Sequence, residues 1–335
     1  KGRLALTLMA LIMGGAIFIA VFSVRDSLLQ TLDELLGVWQ YDVWVIFSRA
    51  YRVTEVEQET LLVPGVVAAE AADFITTRRV RPDDTESEQL FLLAPQPGSE
   101  LVKPLIVEGR WLVPEDENAI VLTTNFMKNE PDLGVGSEMV LKIGGKETSW
   151  KIVGVFKWLG PFGYVNYPYL ARVAGDMGRT RGLWVVTEGH DVETQKAVAR
   201  ELERHFERSG LNVSSITQIA QERAEVEMSF NVIVALLLIM AVLLAVVGGL
   251  GLMGTMSINV LERTREIGVM RAIGASDGAV VQVFMVEGIV IGAISWLIGA
   301  VVAFPLSKIL SDTVGMVFMQ SPLSYTFSVG GVLLW

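Results

Sequence analysis

A chain of 335 residues that is 51% hydrophobic and only 19% charged, with a mean hydropathy of +0.47, is more apolar than an ordinary soluble protein. Its net charge of −10 argues against nucleic acid as a partner, because holding phosphates takes a basic surface. It has no cysteine, which excludes disulfides and thiolate metal sites and leaves the redox compartment unread.

Residues 4–24 form the first apolar run, with Lys1 and Arg3 before it and Arg25 and Asp26 after it. A helix rising about 1.5 Å per residue needs roughly 20 residues to cross a hydrocarbon core of about 30 Å, so 1–24 reads as a first transmembrane helix. A cleaved signal peptide is the competing reading. Against it, the run is longer than a signal core and lacks a small-x-small cleavage site. A chain that opens without Met, almost at the membrane, has the look of a piece of a longer protein.

Residues 25–228 follow as a soluble region, long enough to bury its own core. At its two ends, 25–38 continues the first span with Leu28, Leu29, Leu32, Leu35 and Leu36 as an apolar stripe, and 218–228 leads helically into the next span, as a stalk would. Residues 41–80 read as strand 41–47, a helix over 54–62 with Thr54 as N-cap, and strand 66–80. Residues 183–216 read as strand 183–187, a helix over 191–208 with Val198, Leu202 and Phe206 on one face, and strand 211–216. Between these two strand, helix, strand units lies a β-rich insertion over 81–169. Its surest element is a hairpin of 138–143 and 147–155, joined by Gly144 and Gly145, which suit a two-residue turn of positive φ.

The second span, 229–257, is almost free of charge, and the third, 279–306, has Glu287 as its one ionisable residue. Between them 258–276 carries Arg263, Arg265 and Arg271, and an excess of Lys and Arg in so short a connection marks the cytoplasmic side. The N-terminus then lies inside and 25–228 outside. Glu262 and Glu266, like Arg263, Ile267 and Arg271, are spaced by four, so a short helix with a charged and an apolar face is expected. Gly274 suits its C-cap and Ser276 the N-cap of the third span. The segment is either a solvated turn or a helix on the membrane surface offering Ile267, Val269, Met270 and Ile273 to a cytoplasmic partner. Residues 307–325 read as a short external loop and 327–335 as the opening of a fourth span, since about nine residues cannot cross a bilayer.

Catalytic chemistry is hard to find. Gly249, Gly251 and Gly254 match the dinucleotide fingerprint in form, yet they sit in an apolar span with no preceding strand. Close helix packing explains them better, as it does Gly288 and Gly292 with Gly299 and Ala303. The Gly144–Gly145–Lys146 turn lacks the spacing of a phosphate loop, so any ATP must be hydrolysed by another chain. His190 and His205 read as surface residues of the 191–208 helix, and Asp83, Asp84, Glu86 and Glu88 as a solvated acidic loop rather than a cation site. No catalytic, cofactor or metal site is assigned. A carboxylate about 12 Å into a span at about 1.5 Å per residue, as Glu287 is, should face the bundle or water and have a partner, in a structural or a transmitting role or in contact with substrate.

Residues 262–276, Glu-Arg-Thr-Arg-Glu-Ile-Gly-Val-Met-Arg-Ala-Ile-Gly-Ala-Ser, closely resemble the signature between the second and third spans of FtsX-like ABC transporter permeases. In that family the segment is the coupling helix seated on the ATPase subunit. The resemblance therefore implies that Glu262, Arg263, Arg265, Glu266, Ile267, Gly268, Met270, Arg271 and Ile273 meet a nucleotide-binding partner. Two shorter pieces, Val107-Glu108-Gly109-Arg110-Trp111 and Ile152-Val153-Gly154-Val155, resemble the periplasmic core domain of MacB-like permeases, where a porter-like αβ unit carries a β-rich lobe. Members of the family have four spans, so 327–335 is a truncated fourth, and acidic residues recur where Glu287 stands. Only Lys1, Gly2 and Arg3 stand where members carry a basic amphipathic helix.

The resemblance implies an α+β membrane protein: a transmembrane helical bundle of the four-span type with a large extracytoplasmic porter-like domain bearing a β-rich lobe, multi-pass in the cell membrane. Its expected work is to couple ATP hydrolysis by a partner ABC ATPase to movement of the extracytoplasmic domain, for export or extraction of a substrate. Further expected partners are a second permease copy or homologous half, membrane lipid, and a membrane-fusion adaptor or an extracellular hydrolase. Two other readings stand beside it: a mechanotransmitting regulator of an extracellular hydrolase, and a membrane-anchored binding or sensor module without an ATPase.

Overall fold

The computed structural model describes residues 2–158, 160–319 and 322–335. The expectations that fall on Lys1, on Leu159 of the insertion, and on Gln320 and Ser321 of the 307–325 segment lie outside the described residues. In chain order the elements begin with α1 (Gly2–Leu36), β1 (Val43–Arg52), α2 (Val53–Leu61), β2 (Val66–Ala71), β3 (Asp73–Val80), β4 (Glu86–Ala94) and β5 (Ile106–Gly109). Then come β6 (Ala119–Thr123), α3 (Thr124–Asn129), β7 (Glu138–Ile143), β8 (Lys146–Phe156), β9 (Phe162–Val165), α4 (Tyr167–Ala174) and β10 (Arg179–Thr187). The chain closes with α5 (Val192–Ser209), β11 (Val213–Gln218), α6 (Ile219–Glu262), α7 (Thr264–Ala272), α8 (Asp277–Met319) and α9 (Val329–Leu334). It divides into two compact units, one of Asp33–Glu227 and one of Lys1–Leu32 with Met228–Trp335.

The first unit contains a four-stranded antiparallel sheet in the order β11-β1-β10-β2. Alternation sets its two faces: Val43, Val45 and Phe47 of β1 and Leu183 and Val185 of β10 pack with Val198, Leu202 and Phe206 of α5 and Val56 of α2. Trp44 and Trp184 join a second, aromatic core with Tyr41, Phe74, Phe91, Phe156 and Tyr164. The Asp191 side chain caps α5 by accepting from the Glu193 and Thr194 amides, and Gly210 ends it at φ +73°. Thr54 does not cap α2. That helix starts at Val53, whose amide is already bonded to the Gly178 carbonyl, and the Arg52 side chain makes no capping bond.

The strand expected over 66–80 is two strands in two sheets. β2 pairs with β10, whereas β3 pairs with β4 and β7. No Gly or Pro marks the break, where Ala71, Ala72 and Asp73 are all buried, and what divides the strand is tertiary: the Ala72 amide bonds to the Gly182 carbonyl at 3.1 Å, after which the chain leaves the first sheet. The β-rich lobe thus begins at Asp73. Its sheet runs β5-β8-β6-β9-β4-β3-β7, and a further pairing of β7 with β8 closes six of these strands into a ring. Leu90, Leu92, Ile120, Leu122, Leu141, Trp150 and Ile152 fill the interior, with Phe126 and Leu170 from α3 and α4. Gly144 and Gly145 make the β7–β8 turn at φ +56° and +79°.

In the second unit α1, α6 and α8 are each long and apolar enough to cross a membrane. Ala16, Ile19 and Val21 of α1 pack with Ala241 of α6 and Ala303 of α8. A Cβ on Gly299 would come within 3.4 Å of the Ile12 carbonyl, so a small residue lets α8 approach α1. The loop expected over 307–325 is helical as far as Met319. Lys308 and Asp312 interrupt the apolarity of α8 without interrupting its helix, and Pro305 removes one intrahelical bond without ending it. The extended chain that follows is held by hydroxyls spaced four apart on α1. Thr31 Oγ1 accepts from the Ser324 amide at 2.9 Å, Ser27 Oγ from the Thr326 amide at 2.9 Å, and Ser23 Oγ from the Ser328 amide at 3.1 Å. Ser27 also donates to the Thr326 carbonyl.

Candidate functional site

The connection between α6 and α8 is built residue by residue from local rules. α6 ends at Glu262, where Thr264 turns its hydroxyl onto the Leu261 carbonyl. α7 starts next with Glu266 in its first turn and closes with Arg271 in its last, each complementing the helix dipole. Its end is a Schellman motif: Gly274, at φ +99°, donates to the Arg271 carbonyl at 3.1 Å while Ala275 donates to Met270 at 3.0 Å. Ser276 Oγ then accepts from the Ala279 amide at 3.3 Å, capping α8, and Arg271 pairs with Asp277 at 2.6 Å.

No residue of α7 is buried. Val269 and Ile273 are exposed, at 59% and 81%, while Ile267 and Met270 are half-buried. Glu262, Arg265, Glu266, Gly268 and Arg271 are exposed beside them. A large apolar side chain as open as Ile273, bordered by charges, is poorly suited to bulk water. The partner that Glu287 requires is not visible from sequence spacing, and the structure supplies one. Arg263, at the head of α7, lies 3.3 Å from it and 3.8 Å from Glu266. No local pattern joins residues 24 apart, so only the antiparallel course of α6 and α8 brings the pair together.

The glycines divide. A Cβ on Gly288 would sit 3.7 Å from Met256 Cε, so α6 and α8 meet there, but one on Gly249, Gly251, Gly254 or Gly292 would meet nothing within 4 Å. The other candidates are engaged in structure. His205 lies 2.7 Å from Glu59 and, as the main cause, holds that carboxyl below its ordinary range. His190 bonds to the buried Asp42 at 2.8 Å, and Asp42 also accepts from Gln195 and the Thr187 amide. The acidic run is spread among separate partners: Asp83 bonds to Thr85, Glu86 to Lys142 and Glu88 to Asn129. Among the described residues no group of three or more His, Asp or Glu could hold a metal ion.

Residues 238–335 match the model of the FtsX-like permease C-terminal region, and residues 4–205, more than half of the chain, match that of the MacB-like periplasmic core domain. The chain belongs to the MacB-like and FtsX-like family of ABC transporter permeases. With three long apolar helices, the permease is a membrane protein carrying a MacB-like periplasmic domain. An ABC transporter permease of Methanocaldococcus jannaschii is 26% identical to it over 67% of this chain and 58% of its own. The permease YvrN of Bacillus subtilis is 29% identical over 64% and 57%, and the macrolide export ATP-binding/permease protein MacB of Agrobacterium fabrum 26% identical over 69% and 37%. The permease thus spans little more than half the length of the first two and less of the third. Among solved structures, the periplasmic region of MacB from Actinobacillus actinomycetemcomitans aligns over 58% of this chain and 97% of its own, at 10% identity and a TM-score of 0.41. The extracellular domain of the noncanonic ABC-type transporter YknZ from Gram-positive bacteria aligns over 52% and 99%, at 17% identity and a TM-score of 0.39. Membership of the family rests on the sequence matches.

Proposed function

We propose that this permease couples ATP hydrolysis in a separate ATPase subunit to movement of its extracytoplasmic domain, with residues 258–276 as the docking element. The observation that carries the reading is the exposed α7, with Val269 and Ile273 open to a partner between two long apolar helices. In this reading α7 lies in the cytoplasm and residues 25–228 outside. The residues that meet the ATPase are Glu262, Arg263, Arg265, Glu266, Ile267, Gly268, Met270, Arg271 and Ile273. Gly249, Gly251, Gly254 and Gly292 pack against a second permease copy or a homologous half.

Coupling needs an ATPase that binds the docking element differently in its two nucleotide states, since equal binding would shift nothing. Ile273→Asp should leave membrane insertion intact, because the side chain is 81% exposed, and should abolish co-purification of the ATPase. Full retention of the ATPase by that variant would overturn the reading. So would labelling of Arg265→Cys by an impermeant maleimide in intact cells, because the orientation would then be inverted.

A further inference from the structure

Arg263 stands where α6 gives way to α7, and Glu287 stands on α8, one residue from the place where Met256 meets Gly288. Their side chains are 47% and 24% exposed and lie 3.3 Å apart, with Glu287 inside one of the apolar helices long enough to span a membrane. A carboxylate placed there is costly unless a cation answers it, and Arg263, which does so, belongs to the segment bearing the exposed α7.

We propose that Arg263 and Glu287 form a latch that hands movement of the docking segment to α8. The inference rests on the docking reading, since a segment with no ATPase on it has no movement to hand on. Without the latch, α7 would be tied to α8 close to their joint, by the exposed Arg271–Asp277 pair across Gly274, the residue type that bends most freely. With it, the residue just before α7 is tied 10 residues past the start of α8, beyond that joint. Glu266 is the weaker partner at 3.8 Å and is 72% exposed, so it steadies Arg263 without competing for it. Arg263 and Glu287 are positioning residues: neither reaches nucleotide, and both act through the helices they join.

The test uses the full-length permease with its ATPase in lipid nanodiscs, reading both the ATPase retained on the tagged permease and the ATP turnover of the complex. Glu287→Gln should retain the ATPase as the wild type does and lower permease-dependent turnover about tenfold, the size of an ordinary coupling between sites. The chain has no cysteine of its own, so Arg263→Cys with Glu287→Cys can be bridged by a short bis-methanethiosulfonate. Turnover should be low before bridging, return on bridging, and fall again on reduction. Full turnover in Glu287→Gln, or no recovery on bridging of a complex that retains its ATPase, overturns the latch. If the wild type itself retains no ATPase, the docking reading fails first and the latch falls with it.

Discussion

Replacing Glu130 by Ala should loosen the β-rich lobe at its narrowest join. The ring closes between β3 and β7 through two residue pairs, Arg79 with Leu141 and Val80 with Val140. Arg79, 3% exposed, is paired there with Glu130, 1% exposed, and with the more open Asp132; Glu130 also accepts from Arg81 at 2.6 and 3.0 Å. Stranding a buried charge costs about 3–5 kcal/mol. Asp132 still answers Arg79, and Arg81 is exposed enough to find water, so the loss reduces to charge-assisted bonds of about 2–3 kcal/mol in all. A loss of that size raises the opening equilibrium roughly 30- to 150-fold. Amide exchange on the full-length protein should show this in β3, β4 and β7 and less in β1 and β10, with Glu130→Gln intermediate. A change below about threefold in β3 and β7 would refute the reasoning.

Two further outcomes are expected. Burial pushes the Asp73 carboxyl above its ordinary value of 3.8, so its favourable contribution is full below that value and is lost as pH rises through the raised folded one. Asp73→Asn should therefore unfold at a higher temperature than wild type at pH 7.5, with the gap narrowing as the pH falls towards 4; a gap independent of pH would refute this. Ser27→Ala strips the half-buried Thr326 amide and carbonyl of the hydroxyl they share, at a cost of about 1 kcal/mol. Amide exchange over residues 322–328 should rise accordingly, and unchanged exchange would sink the role given to the hydroxyl.

What was legible in the sequence was local. Gly144 and Gly145 announced their hairpin because only a turn of positive φ needs such a pair, and Gly274 announced the end of α7 for the same reason. The face of Val198, Leu202 and Phe206 on α5 was visible as helical spacing. What could not be read needed the third dimension. The break between β2 and β3 carries no Gly or Pro, because it is made by a bond to Gly182, more than a hundred residues on. The closure of the ring depends on β7 meeting both β8 and β3, and a sequence marks only the hairpin. The apolar run of the third span ends at 306, and the helix outlasts it because Lys308 and Asp312 break the apolarity of α8 and not its backbone. Glu287 was legible as a problem requiring a partner, but Arg263 was not legible as the answer.

The three α1 hydroxyls that hold residues 324–328 are spaced four apart, so at 3.6 residues per turn each is offset about 40° from the last and they follow one inclined stripe of the helix, like the teeth of a zipper. A turn of α1 about its own axis by a single residue, about 100° at 3.6 residues per turn, would pull every tooth at once. Neither partner can therefore twist or slide alone by small steps. Any displacement of α1 carries the strap running from Ser324 to Ser328 along with it, or releases that strap entirely.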